Sequence, residues 1–473
     1  YANSSDLGND ISSLGNDFAP QSMSSANQLT NTPSLPFPVL NAIDSDATLA
    51  ASLQFGNRLG VGVSDWDSIF STLPMGKTGK WYFEVRLHTD TGSNGFIAGI
   101  HDTTTTSRNF ANYIGNSTAT FGLGYSLYTA GSTFTNNTET NNPLANIDAG
   151  DVVMMAVDLD NNKIWWGENG TFYLSGNPAT GANPIYTIES DTEYVFGMSP
   201  SADEDYFVNF GADSTFGGAI SAGNNADENG QGNFKHAPPT GFLCLCPANL
   251  VTPDFQGKDF FDATIYEGNG ASQRVGDFVP FTDDFNVVKS AMFEDGDSRS
   301  LSKTFSATPT NLKKQVFSMW LKRTSVGNDA LVHALSSGRS LIEFNSANEL
   351  AVNVNTGFDP AKTSRVFPAD GSWFNVVCAI DTTQGTTANR IKIFVNGIEQ
   401  ALSAVATVSL NTDSTFLTSG NATEVGASVV QSRFYDGYMA EFVALDGQSL
   451  QAGDVSVSSF GQLDTATNRW VPK

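Results

Sequence analysis

The sequence predicts an all-β protein: two antiparallel β-sandwiches of jelly-roll type in tandem, joined by an irregular linker. Three observations carry this. Charged residues are only 15% of the 473, against 40% hydrophobic and 11% aromatic. The polar surface must therefore come largely from Asn, Ser, Thr, Gly and Gln, a mixture that suits strands and turns better than amphipathic helices. Short apolar runs recur with Gly, Asn, Asp, Ser and Thr between them, and no convincing helical stripe interrupts them.

Taken in order, residues 1–40 carry little order-forming signal and end in TPSLPFP (Thr32–Pro38), whose prolines favour an extended path. They read as a linker lying along a neighbouring surface, or as the end of a preceding unit. Residues 41–213 hold the first set of strands: Lys80–His88, Gly95–His101, Phe121–Tyr128, Asp151–Asp160 and Tyr206–Phe210. Val152–Leu159 is apolar on both faces and predicts a central strand covered on both sides. Residues 214–285 read as an irregular connector with one hairpin in FFDATIYEGNGASQRV. Residues 286–473 hold a second set: Ser290–Glu294, Val316–Arg323, Leu341–Phe344, Trp373–Asp381, Arg390–Val395 and Tyr438–Leu445, with one helical turn at Gln448–Asp454.

The two sets echo one another. DVVMMAVDLDNNKIWWGENG (Asp151–Gly170) and WFNVVCAIDTTQGTTANRIKIFVNG (Trp373–Gly397) each show a buried strand ending in Asp, a polar turn, an alternating strand and Asn-Gly. Asn-Gly suits a hairpin turn because both residues accept positive φ. With the Asn-Gly pairs aligned, Ile164, Trp165 and Trp166 fall on Ile391, Lys392 and Ile393. Alternation then buries Ile164 and Trp166 and turns Trp165 outward. There it is covered by the chain's own loop or linker, or meets a neighbouring subunit, domain or sugar.

Charge and composition exclude several functions. A formal net charge of −25 repels a phosphate backbone, so nucleic acid is not an expected partner. No apolar run approaches the roughly 20 residues a bilayer span needs. Tyr1–Asp10 is polar and shows no signal peptide, and the chain reads as a fragment of a longer one. Cys244, Cys246 and Cys378 lack metal spacing and read as buried or half-buried free thiols.

Residues 41–213 resemble a SPRY domain, on GKWYFEV (Gly79–Val85), GIHD (Gly99–Asp102), FGLGY (Phe121–Tyr125), AVDLDNNKIWWGENG and VNFG (Val208–Gly211). Residues 286–473 resemble a laminin G-like, concanavalin A-type domain, on SMWLKR, SWFNVVCAIDTT, RIKIFVNG and FYDGYMAEFVALDGQSL. Both families are β-sandwiches. Their order, with PPTGF and ANL between them and RWVPK at the end, resembles tail-fibre or virion-surface proteins of marine bacteriophages. That resemblance implies a virion-surface location, other virion proteins and host surface polysaccharide as partners, and a homo-oligomer, with a trimer expected. Capsid decoration and a secreted bacterial adhesin are the alternatives.

Chemistry in the chain points to binding rather than catalysis. Concanavalin A-type hydrolases carry a Glu-x-Asp-x-x-Glu pattern that sets acids on one strand face. ADEDY (Ala202–Tyr206) and FEDGDS (Phe293–Ser298) lack it. His88, His101, His236 and His333 are scattered, and no Gly-x-Ser-x-Gly elbow nominates a nucleophile. Aromatic side chains that stack on sugar faces are the alternative chemistry. The candidates are Trp66, Tyr113, Tyr128, Trp165 and Phe358. Laminin G-like domains often bind calcium, and Asp158 and Asp160 in DLDNN, with Asp295 and Asp297 in DGDS, offer hard oxygen ligands.

Overall fold

The computed structural model describes residues 7–12, 15–50, 52–62, 66–89, 96–103, 110, 112–116, 122–140, 144, 146–201, 204–250, 287–307, 309–336, 338–355, 359–464 and 469–473. It is all-β, with antiparallel sheets paired into two sandwiches.

One sheet of the first sandwich runs, side by side, Thr138–Thr140, Thr133–Thr135, Gly124–Tyr128, Phe96–Asp102, Tyr194–Pro200, Ile69–Ser71 and Leu40–Ser45. The other runs Thr171–Phe172, Lys163–Glu168, Val152–Asp158, Lys80–Thr89, Asp205–Asn209 and Leu59–Val61. Strand alternation assigns the faces. Phe83, Val85, Val153, Met155, Ile164 and Trp166 point into the core with Ile100, Phe196 and Met198 of the opposite sheet. The Val152–Asp158 strand is buried throughout and lies between Lys80–Thr89 and Lys163–Glu168, as its two apolar faces required.

Its second face is covered by the connector. Tyr82, Met154, Ala156 and Trp165 lie on the outside of this sheet under Phe37, Phe234, Phe242, Cys244 and Cys246. Leu243–Cys244 adds a short strand parallel to Lys80–Thr89. Glu84 fastens this roof: wholly buried, it accepts backbone N–H bonds from Lys235 (2.8 Å) and His236 (2.7 Å). Burial pushes its carboxyl up to about 7, against the pull of those bonds. The described part of the connector is thus a packed layer on the first sandwich. The hairpin expected within FFDATIYEGNGASQRV lies outside the described residues.

In the second sandwich one sheet runs Ala19–Gln21, Ser300–Thr304, Ala422–Val425, Asp329–Leu335, Arg339–Phe344, Glu349–Asn353, Ala361–Val366 and Leu402–Ala404. The other runs Gln28–Leu29, Ser290–Phe293, Gly437–Asp446, Lys314–Arg323, Trp373–Asp381, Ile391–Val395 and Ile398–Glu399. Phe317, Met319, Val376, Cys378, Ile393 and Phe416 are among its core residues. All three cysteines are buried and free. Gln448–Asp454 forms irregular turns in place of the expected helical turn.

Both sheets of the second sandwich begin with residues from the first 40. The segment Thr32–Pro38, expected to be extended, bends at 33–35, where Thr32 N donates to Leu35 O (3.1 Å); the parts that lie along another surface are upstream, on the far domain. Phe18 packs edge-on against Phe305 (6.1 Å) and Phe442 (6.0 Å). Ala19–Gln21 and Gln28–Leu29 then pair antiparallel with Ser300–Thr304 and Ser290–Phe293. The chain next crosses to the first sandwich, where Phe37 joins the roof over Trp165.

The crossing binds the two sandwiches together. Leu29, Val39, Met292 and Tyr438 form a small buried cluster with Phe55 and Trp373 packed on it. The Tyr438 hydroxyl donates to Gly56 O (2.9 Å), Asn57 Nδ2 to Thr324 O (2.9 Å) and Lys322 Nζ to Phe37 O (2.8 Å). Asn31, fully buried, clamps both backbone groups of Phe37, and its Oδ1 accepts from Trp373 Nε1 at 3.3 Å.

Candidate functional site

Three of the aromatic residues singled out in the sequence meet on the outer face of the first sandwich. Trp66 precedes the Ile69–Ser71 strand, Tyr113 lies on a loop, and Tyr128 ends the Gly124–Tyr128 strand. The Trp66 ring stands edge-on to Tyr113 (5.9 Å) and to Tyr128 (5.7 Å). Phe134 completes the group at 5.3 Å from Tyr113 and 5.8 Å from Tyr128. All four are half-buried and rest on a buried layer of Phe70, Ile97, Ile114 and Val195. Edge-to-face contacts of this kind add about 0.5–1.5 kcal/mol each beyond area burial and hold the rings in fixed orientations.

The sheet below supplies the rigidity. Ser199 Oγ accepts from Ile114 N (3.1 Å), and Ser126 Oγ donates to Ile114 O (2.6 Å), so the two strands that flank Phe96–Asp102 grip the Tyr113 loop. Gly115 has φ +94°, and a Cβ there would lie 2.7 Å from Phe134 Cβ. Only glycine lets the loop come this close to the aromatic ring. The hairpin Thr133–Thr135/Thr138–Thr140 turns through Asn136 and Asn137, both at positive φ, and Asn137 N donates to Gly115 O (2.8 Å). Thr138, Glu139 and Thr140 are exposed beside the rings.

The electrostatics suit neutral hydroxyl-rich ligands. Burial, with Glu139 nearby, raises the Tyr113 hydroxyl above its ordinary value; burial, then Glu204 and Glu139, raises that of Tyr128. Both phenols therefore remain donors across the neutral range. The platform offers apolar ring surface, phenolic hydroxyls and a rim of Asn, Thr and Glu side chains.

The remaining sequence candidates are placed elsewhere. Trp165 does face outward from its sheet, as alternation required, but it is 0% exposed under the connector. Its Nε1 donates to Ala182 O at 2.8 Å, and its ring stands edge-on to Phe242. It is unavailable to an outside ligand, because the roof covers its ring and the Ala182 loop of the same sandwich accepts its N–H. Phe358 lies outside the described residues.

Asp158 and Asp160 hold a turn. Asp158 is buried, accepts from Asn161 N (3.0 Å) and Asn161 Nδ2 (2.9 Å), and pairs with Lys80 (3.1 Å). Asp160 Oδ1 accepts from Gly79 N (2.8 Å). Protein donors thus engage both oxygens of Asp158 and Oδ1 of the exposed Asp160. Asp297 pairs with Arg299. Asp295 instead lies beside Glu294 and Asp436. Phe134, Glu294 and Asp436 were not singled out in the sequence. Phe134 had a signal, the TFTNNTET hairpin next to Tyr128, whereas Asp436 sits far along the chain from the DGDS loop.

The family comparison agrees with a concanavalin A-like fold for the second set of strands. Residues 301–456 match the family profile of the concanavalin A-like lectin/glucanases superfamily. No curated protein matches the chain. Among solved structures, the SPRY domain of human HERC1 is similar at 12% identity and TM-score 0.27, over 36% of this chain and 96% of that one. Domains LG4–5 of the mouse laminin α1 chain are similar at 12% identity and TM-score 0.26, over 78% of this chain and 86% of that one. The heptameric SAP-like pentraxin of Limulus polyphemus is similar at 11% identity and TM-score 0.24, over 31% and 69% of the two chains. Likenesses at these scores carry no argument about ligand or activity.

Proposed function

We propose that this chain is a non-catalytic adhesive segment of a bacteriophage tail fibre, which holds host-surface glycan on the aromatic platform of its first sandwich. The observation that carries the binding half is the convergence of Trp66, Tyr113, Tyr128 and Phe134 into one half-exposed group on a rigid sheet face. Rings held edge-to-face present apolar surface to the C–H faces of a sugar, and polar rim groups orient its hydroxyls. The non-catalytic half is supported by the absence of an alternating acid pattern from the sequence. The fibre context, at the virion surface among other virion proteins, is supported by the order of the SPRY-like and laminin G-like segments. Homotrimerisation fits this role, since clustering weak sites raises avidity through effective concentration.

The binding half is tested on an array of bacterial surface polysaccharides probed with the purified chain. Wild type is expected to bind at least one polysaccharide, and Trp66→Ala to weaken that binding tenfold or more with the fold intact by circular dichroism. Equal binding by Trp66→Ala overturns the site. The fibre context is tested by immunogold labelling of particles with an antibody to this chain: gold on tail fibres supports it, and gold on the capsid or on uninfected bacteria overturns it.

A further inference from the structure

A second site, unrelated to the aromatic platform, lies where the two sandwiches meet. The Ser290–Phe293 strand ends at Glu294 and Asp295, and Asp436 immediately precedes its partner strand, Gly437–Asp446. Antiparallel pairing of Phe293 with Gly437 brings the acids together. One carboxylate oxygen from each of Glu294, Asp295 and Asp436 lies within 4.8 Å of the others. Glu294 and Asp436 are 4% exposed, and Asp436 Oδ1 is buried without a hydrogen-bond partner. Beside them is a cavity of about 260 Å³ lined by residues 52–54 of the first sandwich and 294–297 of the second.

Three carboxylates at this spacing, two of them buried, repel one another unless a cation or protons intervene. Among the described residues two arginines stand nearby; the charge of Arg299 acts on Glu294, and its Nε and Nη1 are buried without a hydrogen-bond partner. Arg299 pairs with Asp297 and lies over the Phe55 ring at 4.9 Å. Arg323 pairs with Asp329 and donates to Phe367 O, with its guanidinium 4.1 Å from the centroid of Phe344. Among the described residues, Glu294, Asp295, Asp297, Asp329 and Asp436 outnumber the two arginines, so the cluster keeps an acidic excess. An all-carboxylate donor set with room for water beside it matches a hard divalent ion, calcium above all, and it lacks the imidazole or thiolate ligands that favour zinc.

We propose that Glu294, Asp295 and Asp436 form a calcium site at the junction of the two sandwiches. The site reaches both domains, because Glu294 Oε2 also accepts the backbone N–H of Phe55 from the first sandwich. Burial, with the neighbouring acids, raises both buried carboxyls, Glu294 to about 7 and Asp436 further, while Arg299 opposes the rise at Glu294. Calcium would therefore bind in competition with protons and more tightly as pH rises.

The test uses the purified chain stripped with EDTA and titrated with calcium chloride, followed by thermal unfolding and calorimetry. At a hundredfold excess of calcium over Kd, the melting temperature is expected to rise by about 5–10 °C, with one ion bound. Asp436→Asn and Asp295→Asn should both lose this response, and Asp436→Asn in EDTA should melt no lower than wild type, because burial already favours the uncharged form of Asp436 and Asn matches its shape. Asp295 is exposed, so its variant keeps the fold whatever happens at Asp436. The proposal is overturned by a wild type that does not respond to about 10 mM calcium, well above the range of extracellular calcium modules. It is also overturned if the response persists undiminished in the two variants.

Discussion

The two sandwiches contain the same hairpin with different coverings. In the first, Met155 pairs with Trp166 and Ala156 with Trp165; in the second, Cys378 pairs with Ile393 and Ala379 with Lys392. The inward residues Trp166 and Ile393 are both core. The outward residues diverge. Trp165 lies under Phe37, Phe234, Phe242 and two cysteines, whereas Lys392 is partly exposed and its Nζ pairs with Glu399 at 2.6 Å. Alternation along a strand chooses the face, and chain from elsewhere chooses the solvent that face meets. Trp165 is outward in the sheet and inward in the protein.

The largest test of this contrast is a matched pair. Trp165→Ala should lose about 3–5 kcal/mol of stability in urea unfolding, the range for a buried aromatic truncated to Ala. Lys392→Ala, at the same hairpin position, should stay within about 0.5 kcal/mol. Similar costs for the two would mean the roof is not packed.

A smaller loss is expected at the crossing. Asn31→Ala removes the clamp on Phe37 and the acceptor for Trp373 Nε1. It should cost about 1–3 kcal/mol, the usual penalty for buried polar groups left unpaired. Amide exchange should quicken first in Gln28–Leu29 and the strand it joins, and unchanged protection there would count against the strap.

Lys322 sharpens the contrast further, because unlike Lys392 it is fully buried, and burial lowers its ammonium to about 7. The folded state then holds fewer protons than the unfolded state between that value and the ordinary 10.5. Its contribution to stability therefore grows as pH rises through this window and is lost as pH falls toward 7. Relative to Lys322→Met, wild type should gain about 1 kcal/mol per pH unit between roughly pH 8 and 10. Parallel curves would show that Lys322 does not titrate there.

The smallest effect is expected at the platform. Gly115→Ala, strained at φ +94° and crowded by Phe134, should cost about 1 kcal/mol. It should weaken polysaccharide binding more than it lowers the melting temperature, since it displaces the Tyr113 loop. A loss of stability with binding intact would separate that loop from the site.

Much of the fold was legible because strands announce themselves locally. Trp373–Asp381 appears with the bounds read from its apolar run, and Val152–Asp158 was identified as doubly covered from its two apolar faces. The binding candidates were legible only as residue types. Trp66, Tyr113 and Tyr128 read singly as loop or strand-end aromatics, and nothing in the sequence shows that they touch. Asp158 and Asp160 stay ambiguous in sequence, because an Asp-rich turn in an acidic chain looks the same whether its oxygens accept Asn161 and Gly79 donors or an ion.

By itself, then, the sequence determined the all-β class, several strands though not Tyr194–Pro200 or Asp329–Leu335, the repeated hairpin and the direction in which each tryptophan of IWWGENG points. These follow from a period of two and from turn residues, which act over a few neighbours. Only the tertiary structure decided that the first 40 residues complete the second sandwich, that the connector roofs the first, and that Glu294, Asp295 and Asp436 come together. Those outcomes depend on which distant surfaces bury the most apolar area together. That is a property of the assembled sheets, and no window of the sequence contains it.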